Sequence, residues 1–137
     1  MAEVKSHEFD AFLKRKPLPV RLFLVYGPDR GLVSERANAL AAASGVDLDD
    51  AFSVVKLDAG EIGNQPGRLM DEMNAIGLFG GDRLVWIRNA GSEKGVSDGL
   101  EILASMPAGP STLIIEAGDL KKGAALRKAA ESTSQAI

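Results

Sequence analysis

Apolar residues gather in four short, nearly continuous runs, at 20–26, 52–57, 83–87 (Arg-Leu-Val-Trp-Ile) and 112–115. A run without polar alternation suits a strand buried on both faces, as in a parallel sheet. Between the runs lie stretches with helical spacing: Val33, Ala37, Leu40 and Ser44, then Leu69, Met73 and Ile76, then Val96, Leu100 and Leu103. Strand and helix therefore alternate, which predicts right-handed βαβ crossovers and a three-layer α/β domain with a mostly parallel sheet. A short amphipathic helix is expected over 6–15, with Phe9, Phe12 and Leu13 on one side, ended by Pro17 and Pro19. Pro66 suits the first turn of the second crossover helix, with Asn64 or Gln65 as its cap, and Gly80-Gly81 closes it. The stretch 91–99 is the most loop-like, and no internal repeat or low-complexity tract interrupts the pattern.

Composition narrows the picture further. The chain has 137 residues, enough for one domain with a real core but not for two ordinary ones. A net charge of −3 lacks the basic footprint of a dedicated DNA-binding module. With no cysteine and a single histidine, His7, thiolate chemistry and Cys- or His-rich metal sites drop out. The first residues lack a signal-peptide core, and no apolar run approaches the ~18 residues that span a membrane, so a soluble cytoplasmic protein without membrane partners is expected.

The segment Gly27-Pro28-Asp29-Arg30-Gly31-Leu32-Val33-Ser34 lies where a phosphate-binding loop belongs, after the first strand and before a helix. A working loop reads G-x-x-x-x-G-K-[ST], with backbone N–H groups around the phosphates, a Lys to neutralise them and a hydroxyl for Mg²⁺. Here Gly27 and Gly31 stand one residue too close, and Leu32-Val33 replaces Lys-Ser/Thr. The plain alternative is a Gly/Pro/Asp turn joining strand to helix. A nucleotide hydrolase of this architecture also needs acids at the end of the third strand, where this chain has Arg88-Asn89-Ala90. Two independent parts of an ATPase site are missing, so no cofactor, metal or catalytic residue is expected.

Other candidates are weaker. Asp58, ending the second strand, could be a receiver-type phosphoacceptor or a ribose ligand, against a plain reading as a solvated strand-end residue. Trp86 reads as core, His7 as a surface helix residue, and Lys14-Arg15-Lys16 and Lys121-Lys122 as solvated charges.

The stretch Met73-Asn74-Ala75-Ile76-Gly77-Leu78-Phe79-Gly80-Gly81 is not explained by folding alone. At ~100° per residue, Met73 and Ile76 fall within about 40° of Leu69, while Leu78 lands about 180° away with Phe79 beside it. Two adjacent large apolar side chains at an exposed helix end make a protein-binding wedge. If the helix instead unwinds at Gly77, both turn inward.

Taken together, the chain resembles the N-terminal domain of the delta subunit of the bacterial DNA polymerase III clamp loader. The family's degenerate nucleotide loop is similar to Leu-Val-Tyr-Gly-Pro-Asp-Arg-Gly-Leu-Val-Ser-Glu at 24–35. Its Leu-Phe wedge before the third strand is similar to Asn-Ala-Ile-Gly-Leu-Phe at 74–79, and its fourth strand to Leu-Ile-Ile-Glu-Ala-Gly-Asp-Leu-Lys-Lys at 113–122. The resemblance implies an AAA+-like domain with strand order 2-3-4-1 that binds and helps open the sliding clamp (the beta subunit) without hydrolysing ATP. Leu78 and Phe79 would enter a hydrophobic pocket of the clamp, with Met73, Asn74 and Ile76 at the adjacent interface. Gly27, Gly31, Leu32 and Val33 would form a non-functional nucleotide loop. The domain itself would not be an enzyme, although its parent complex is a DNA-directed DNA polymerase, a transferase. Family proteins continue into lid and collar domains that join other clamp-loader subunits and bring DNA near indirectly. Residues 1–137 are therefore expected to be a single excised domain, its fifth strand only starting at 133–137. The rival readings are a P-loop NTPase with a variant site and a receiver-type signalling domain.

Overall fold

Four strands of the computed structural model fall on the apolar runs: β1 (Leu22–Val25), β2 (Val54–Asp58), β3 (Leu84–Ala90) and β4 (Thr112–Ala117). The structure describes residues 22–27, 29–43, 54–63, 65, 67–69, 71, 84–91, 94–104, 112–118 and 135–136. All strand pairs are parallel, in the order β2-β3-β4-β1-β5. The order 2-3-4-1 is thus observed, and the expected start of a fifth strand is present as β5 (Gln135–Ala136), two residues that pair with Phe23 and Leu24 of β1. β3 and β4 also run further than the apolar runs suggest, to Ala90 and Ala117, because ladder pairing continues through polar residues once neighbours are in place.

Strand alternation sends side chains to two separate cores. Phe23, Val25, Leu84, Trp86 and Ile114 face α1 (Arg30–Ala43), which buries Val33, Ala37, Leu40 and Ala41, a stripe at i, i+4, i+7 and i+8. Leu24, Val85, Ile87, Leu113 and Ile115 face the other layer, built from α2 (Ala59–Ile62), Leu69 and α3 (Lys94–Ala104). β4 is buried along its whole length, as a central parallel strand must be, whereas β2 exposes Lys56 and Asp58 at the sheet edge.

Two local features depart from the sequence reading. Most of the stretch read as loop is helical: α3 starts at Lys94 and carries Gly95 and Gly99 within it. Those glycines let helix and neighbour meet closely, since a Cβ on Gly99 would stand 2.7 Å from Leu69 Cδ2, and one on Gly95 would stand 2.7 Å from both Gly63 O and Gln65 N. The second departure is the extra one-turn helix α2 directly after β2, started by a capping box in which Asp58 Oδ1 accepts from Gly60 N at 2.9 Å and Asp58 N donates to Glu61 Oε2 at 3.0 Å. Beyond it, residues 67–69 and 71 are helical and Leu69 is fully buried, in keeping with its place in the second helical pattern. The helix expected over 6–15, Ser44, Asn64, Pro66 and Gly80-Gly81 lie outside the described residues.

Candidate functional site

The turn after β1 is tied together by hydrogen bonds within the chain. Four residues, 26–29, separate β1 from α1. Gly27 N donates to Gly118 O at 3.1 Å, tying the turn to the chain just past β4. Asp29 then caps α1 itself: its Oδ1 accepts from Leu32 N at 3.1 Å, and its carbonyl accepts from Val33 N at 3.0 Å. A phosphate loop works by aiming successive unpaired amides and a helix N-terminus at the anion. In this chain Gly27, Leu32 and Val33 have committed their amides internally, and Pro28 has none to give. The carboxylate of Asp29 already occupies the positive end of the helix, where it would repel a phosphate. Leu32 is partly exposed and carries no charge, while Val33 is buried in the core against Phe23 and Trp86. Gly27, Gly31, Leu32 and Val33 thus lie together at the turn and in the first residues of α1, with Asp29 as its cap.

Beside the turn lies a cavity of about 60 Å³ lined by Arg30, Val33, Asn89, Glu116, Ala117 and Gly118. Sites for organic ligands are usually ~300–1,000 Å³. The acid within reach, Glu116, is nearly buried and already engaged. It accepts from Trp86 Nε1 and forms an ion pair with Arg88, whose Nε lies 3.4 Å from Oε2 without hydrogen-bond alignment. Arg88 and Lys56 also lie over the Trp86 ring, 4.7 and 5.2 Å from its centroid. Trp86 is therefore core with a satisfied indole N–H, as the apolar run around it suggests.

At the end of β3, where a hydrolase keeps its metal-binding acid, Asn89 adopts φ 59° and donates from Nδ2 to Asp58 Oδ2 at 2.9 Å. Asp58 is consequently not merely a solvated strand end. It caps α2 and receives Asn89, and these hydrogen bonds, Asn89 first and the Gly60 amide second, hold its carboxyl below the ordinary carboxylate value, outweighing a small opposing desolvation. A carboxylate engaged this way is a poor phosphoacceptor, and among the described residues no group of three or more His, Cys, Asp and Glu side chains is placed to hold a metal ion. No helix among them is long and apolar enough to cross a membrane.

Sequence reasoning missed the roles of Asp29, Glu116 and the Asp58–Asn89 pair. The first had a usable signal, an Asp placed at the start of a helical pattern; the other two depend on which strands become neighbours. Met73, Asn74, Ile76, Leu78 and Phe79, along with His7, Lys14-Arg15-Lys16 and Lys121-Lys122, lie outside the described residues.

Comparison with known proteins agrees with this architecture. The fold is similar to that of the Bacillus subtilis DNA clamp loader delta protein, with a TM-score of 0.72 at 18% identity over 96% of this chain and 41% of that one. It is also similar to a DNA polymerase III gamma subunit-related protein of Thermotoga maritima, with a TM-score of 0.60 at 11% identity over 96% of this chain and 44% of that one. The chain thus spans less than half the length of either. Among proteins with curated descriptions, none matches the sequence. The family model described as DNA polymerase III, delta subunit, matches residues 23–137, and the chain belongs to that family.

Proposed function

We propose that this chain acts in DNA replication as the clamp-binding module of a clamp loader, engaging the sliding clamp and helping to open it without binding or hydrolysing ATP. The observation that carries this reading is the closed turn at 27–33, in which Asp29 caps the helix end that a nucleotide phosphate would need. A family member that keeps the nucleotide-binding architecture but has closed its site has a use for the scaffold other than hydrolysis, and ATP turnover falls to partner subunits. Leu78 and Phe79 are the contact pair, supported by Met73, Asn74 and Ile76; what supports this is the sequence spacing alone, since a helix that runs past Gly77 carries Leu78 about 180° from Leu69. Ring opening is then a population shift: the wedge opens the clamp only to the degree that it binds the open form better than the closed one. The other loader subunits and DNA would be met by parts of the family protein beyond this domain.

The test is a calorimetric titration of the 137-residue chain with the sliding clamp of its own organism, first without nucleotide and then with ATP and Mg²⁺. Saturable binding of equal affinity in both conditions is expected. Binding that appears only with ATP would return the assignment to a nucleotide-driven switch.

A further inference from the structure

Residues 58–69, which run from the end of β2 toward the stretch carrying Leu78 and Phe79, are pinned at three points by a single length of chain. At the head, Asn89 Nδ2 donates to Asp58 Oδ2 at 2.9 Å. In the middle, Gly95 N donates to Gly63 O at 2.9 Å. At the far end, fully buried Leu69 packs onto Gly99. The two glycines act through backbone and through the absence of a side chain. Asn89 acts through a side chain, and it does so from a backbone at φ 59°, a left-handed conformation that Asn tolerates better than other residues with a Cβ. The β3–β4 register shifts between Ile87 and Ala90 at this point, and Arg88, just before Asn89, is the ladder partner of Asp58. The turn therefore lets the next residue reach back to the carboxylate. An acid at this position would instead set like charges face to face across β2 and β3.

We propose that Asn89 is a positioning residue: its left-handed turn and its amide donated to Asp58 fix the capping box that begins residues 58–69, the chain that leads in sequence to the proposed clamp-binding residues Leu78 and Phe79. The link to clamp binding rests on the function proposed above, whereas the pinning itself does not. Both oxygens of Asp58 are used, Oδ1 by Gly60 N within its own turn and Oδ2 by Asn89 from the neighbouring strand. Losing the second bond leaves α2 with a cap but frees that cap from β3.

The test uses amide hydrogen exchange and clamp dissociation kinetics on the full chain as wild type, Asn89→Gly and Asn89→Asp. Asn89→Gly keeps the left-handed turn and deletes the donor, and Asn89→Asp keeps shape and turn tolerance but replaces the donor with a carboxylate. Both variants are expected to exchange the amides of residues 60–63 roughly tenfold faster while α1 and β4 keep wild-type protection, and both should leave the clamp several-fold faster. Wild-type protection of 60–63 in Asn89→Gly would reduce Asn89 to a turn residue and overturn the proposal. Faster exchange with unchanged clamp dissociation would overturn the link to the wedge. If the wild type does not bind the clamp at all, the functional reading fails separately, and the exchange result still decides the pinning.

Discussion

Replacing Gly95 with alanine sets two physical effects against each other. Helix propensity alone favours the substitution, by less than the ~1 kcal/mol of a helix interior because Gly95 is the second residue of α3. The packing opposes it: the new Cβ would stand 2.7 Å from Gln65 N, 2.7 Å from Gly63 O and 2.9 Å from Ile62 Cγ2. Two of those atoms are backbone and cannot rotate away, so α3 must move off the 62–65 turn. Overpacking of this kind costs about 1–3 kcal/mol, and the same displacement strains the bond from Gly95 N to Gly63 O, worth about 0.5–1.5 kcal/mol. Packing wins, with a net loss of roughly 1–3 kcal/mol, or about 3–12 °C in Tm for a chain of this size. Two companion variants fix the interpretation. Gly99→Ala meets mainly Leu69 Cδ2, the end of a flexible side chain, so its clash and its propensity gain nearly cancel. Gly67→Ala meets nothing within 4 Å and should raise stability by about 0.5–1 kcal/mol. Thermal unfolding followed by circular dichroism gives the ranking Gly67→Ala above wild type and Gly95→Ala below it. If Gly95→Ala melts at or above the wild-type temperature, the close approach of α3 to the 62–65 turn is wrong.

Titration with ATP and Mg²⁺ should give a flat calorimetric trace in wild type and also in Leu32→Lys, because the Leu32 amide is already bonded to Asp29; saturable binding below ~100 μM in either would contradict the closed-turn account. Glu116→Ala removes the acceptor of the Trp86 indole and should cost about 1–3 kcal/mol, whereas Glu116→Gln keeps an acceptor and should cost less than ~1 kcal/mol, since the pair with half-exposed Arg88 is weak; urea unfolding monitored by the fluorescence of the only tryptophan separates the two. Asp58 has a carboxyl held below its ordinary value of 3.8, so its contribution to stability is fully present above that value and is lost as pH falls through the lower folded value. Asn89→Ala removes the first cause of that shift, and acid titration of its Tm should therefore show a shallower decline than wild type below about pH 4.

The layered fold was legible because burial on both faces of a parallel sheet leaves a direct mark, the unbroken apolar runs, and α1 followed from the spacing of Val33, Ala37 and Leu40. The missing lysine and the absent acid after β3 were equally legible, since they are matters of residue identity. The way the site is closed was not. Glu116 reads in sequence as a charged residue ending an apolar run, and only the 30-residue separation from Trp86, bridged by adjacent strands, gives it a partner. Asp58 and Asn89 meet for the same reason, across β2 and β3. Gly95 and Gly99 look like loop residues because glycine weakens a helix taken alone, and their value appears only when Gly63 and Leu69 arrive on the other side. Local signals thus carried the elements, while the polar chemistry depended on strand order.

The central claim, that Leu78 and Phe79 serve a partner rather than the core, is tested most directly by the double variant Leu78→Ala, Phe79→Ala, measured for both clamp affinity and thermal unfolding. Burial of two such side chains at an interface is worth roughly 1.5–3 kcal/mol each, so their loss should weaken clamp binding by about 3–6 kcal/mol, on the order of 100-fold or more in Kd. The account predicts that loss with a melting temperature close to wild type. Clamp binding that is unchanged, or a steep fall in melting temperature of the kind that core cavities produce, would contradict it.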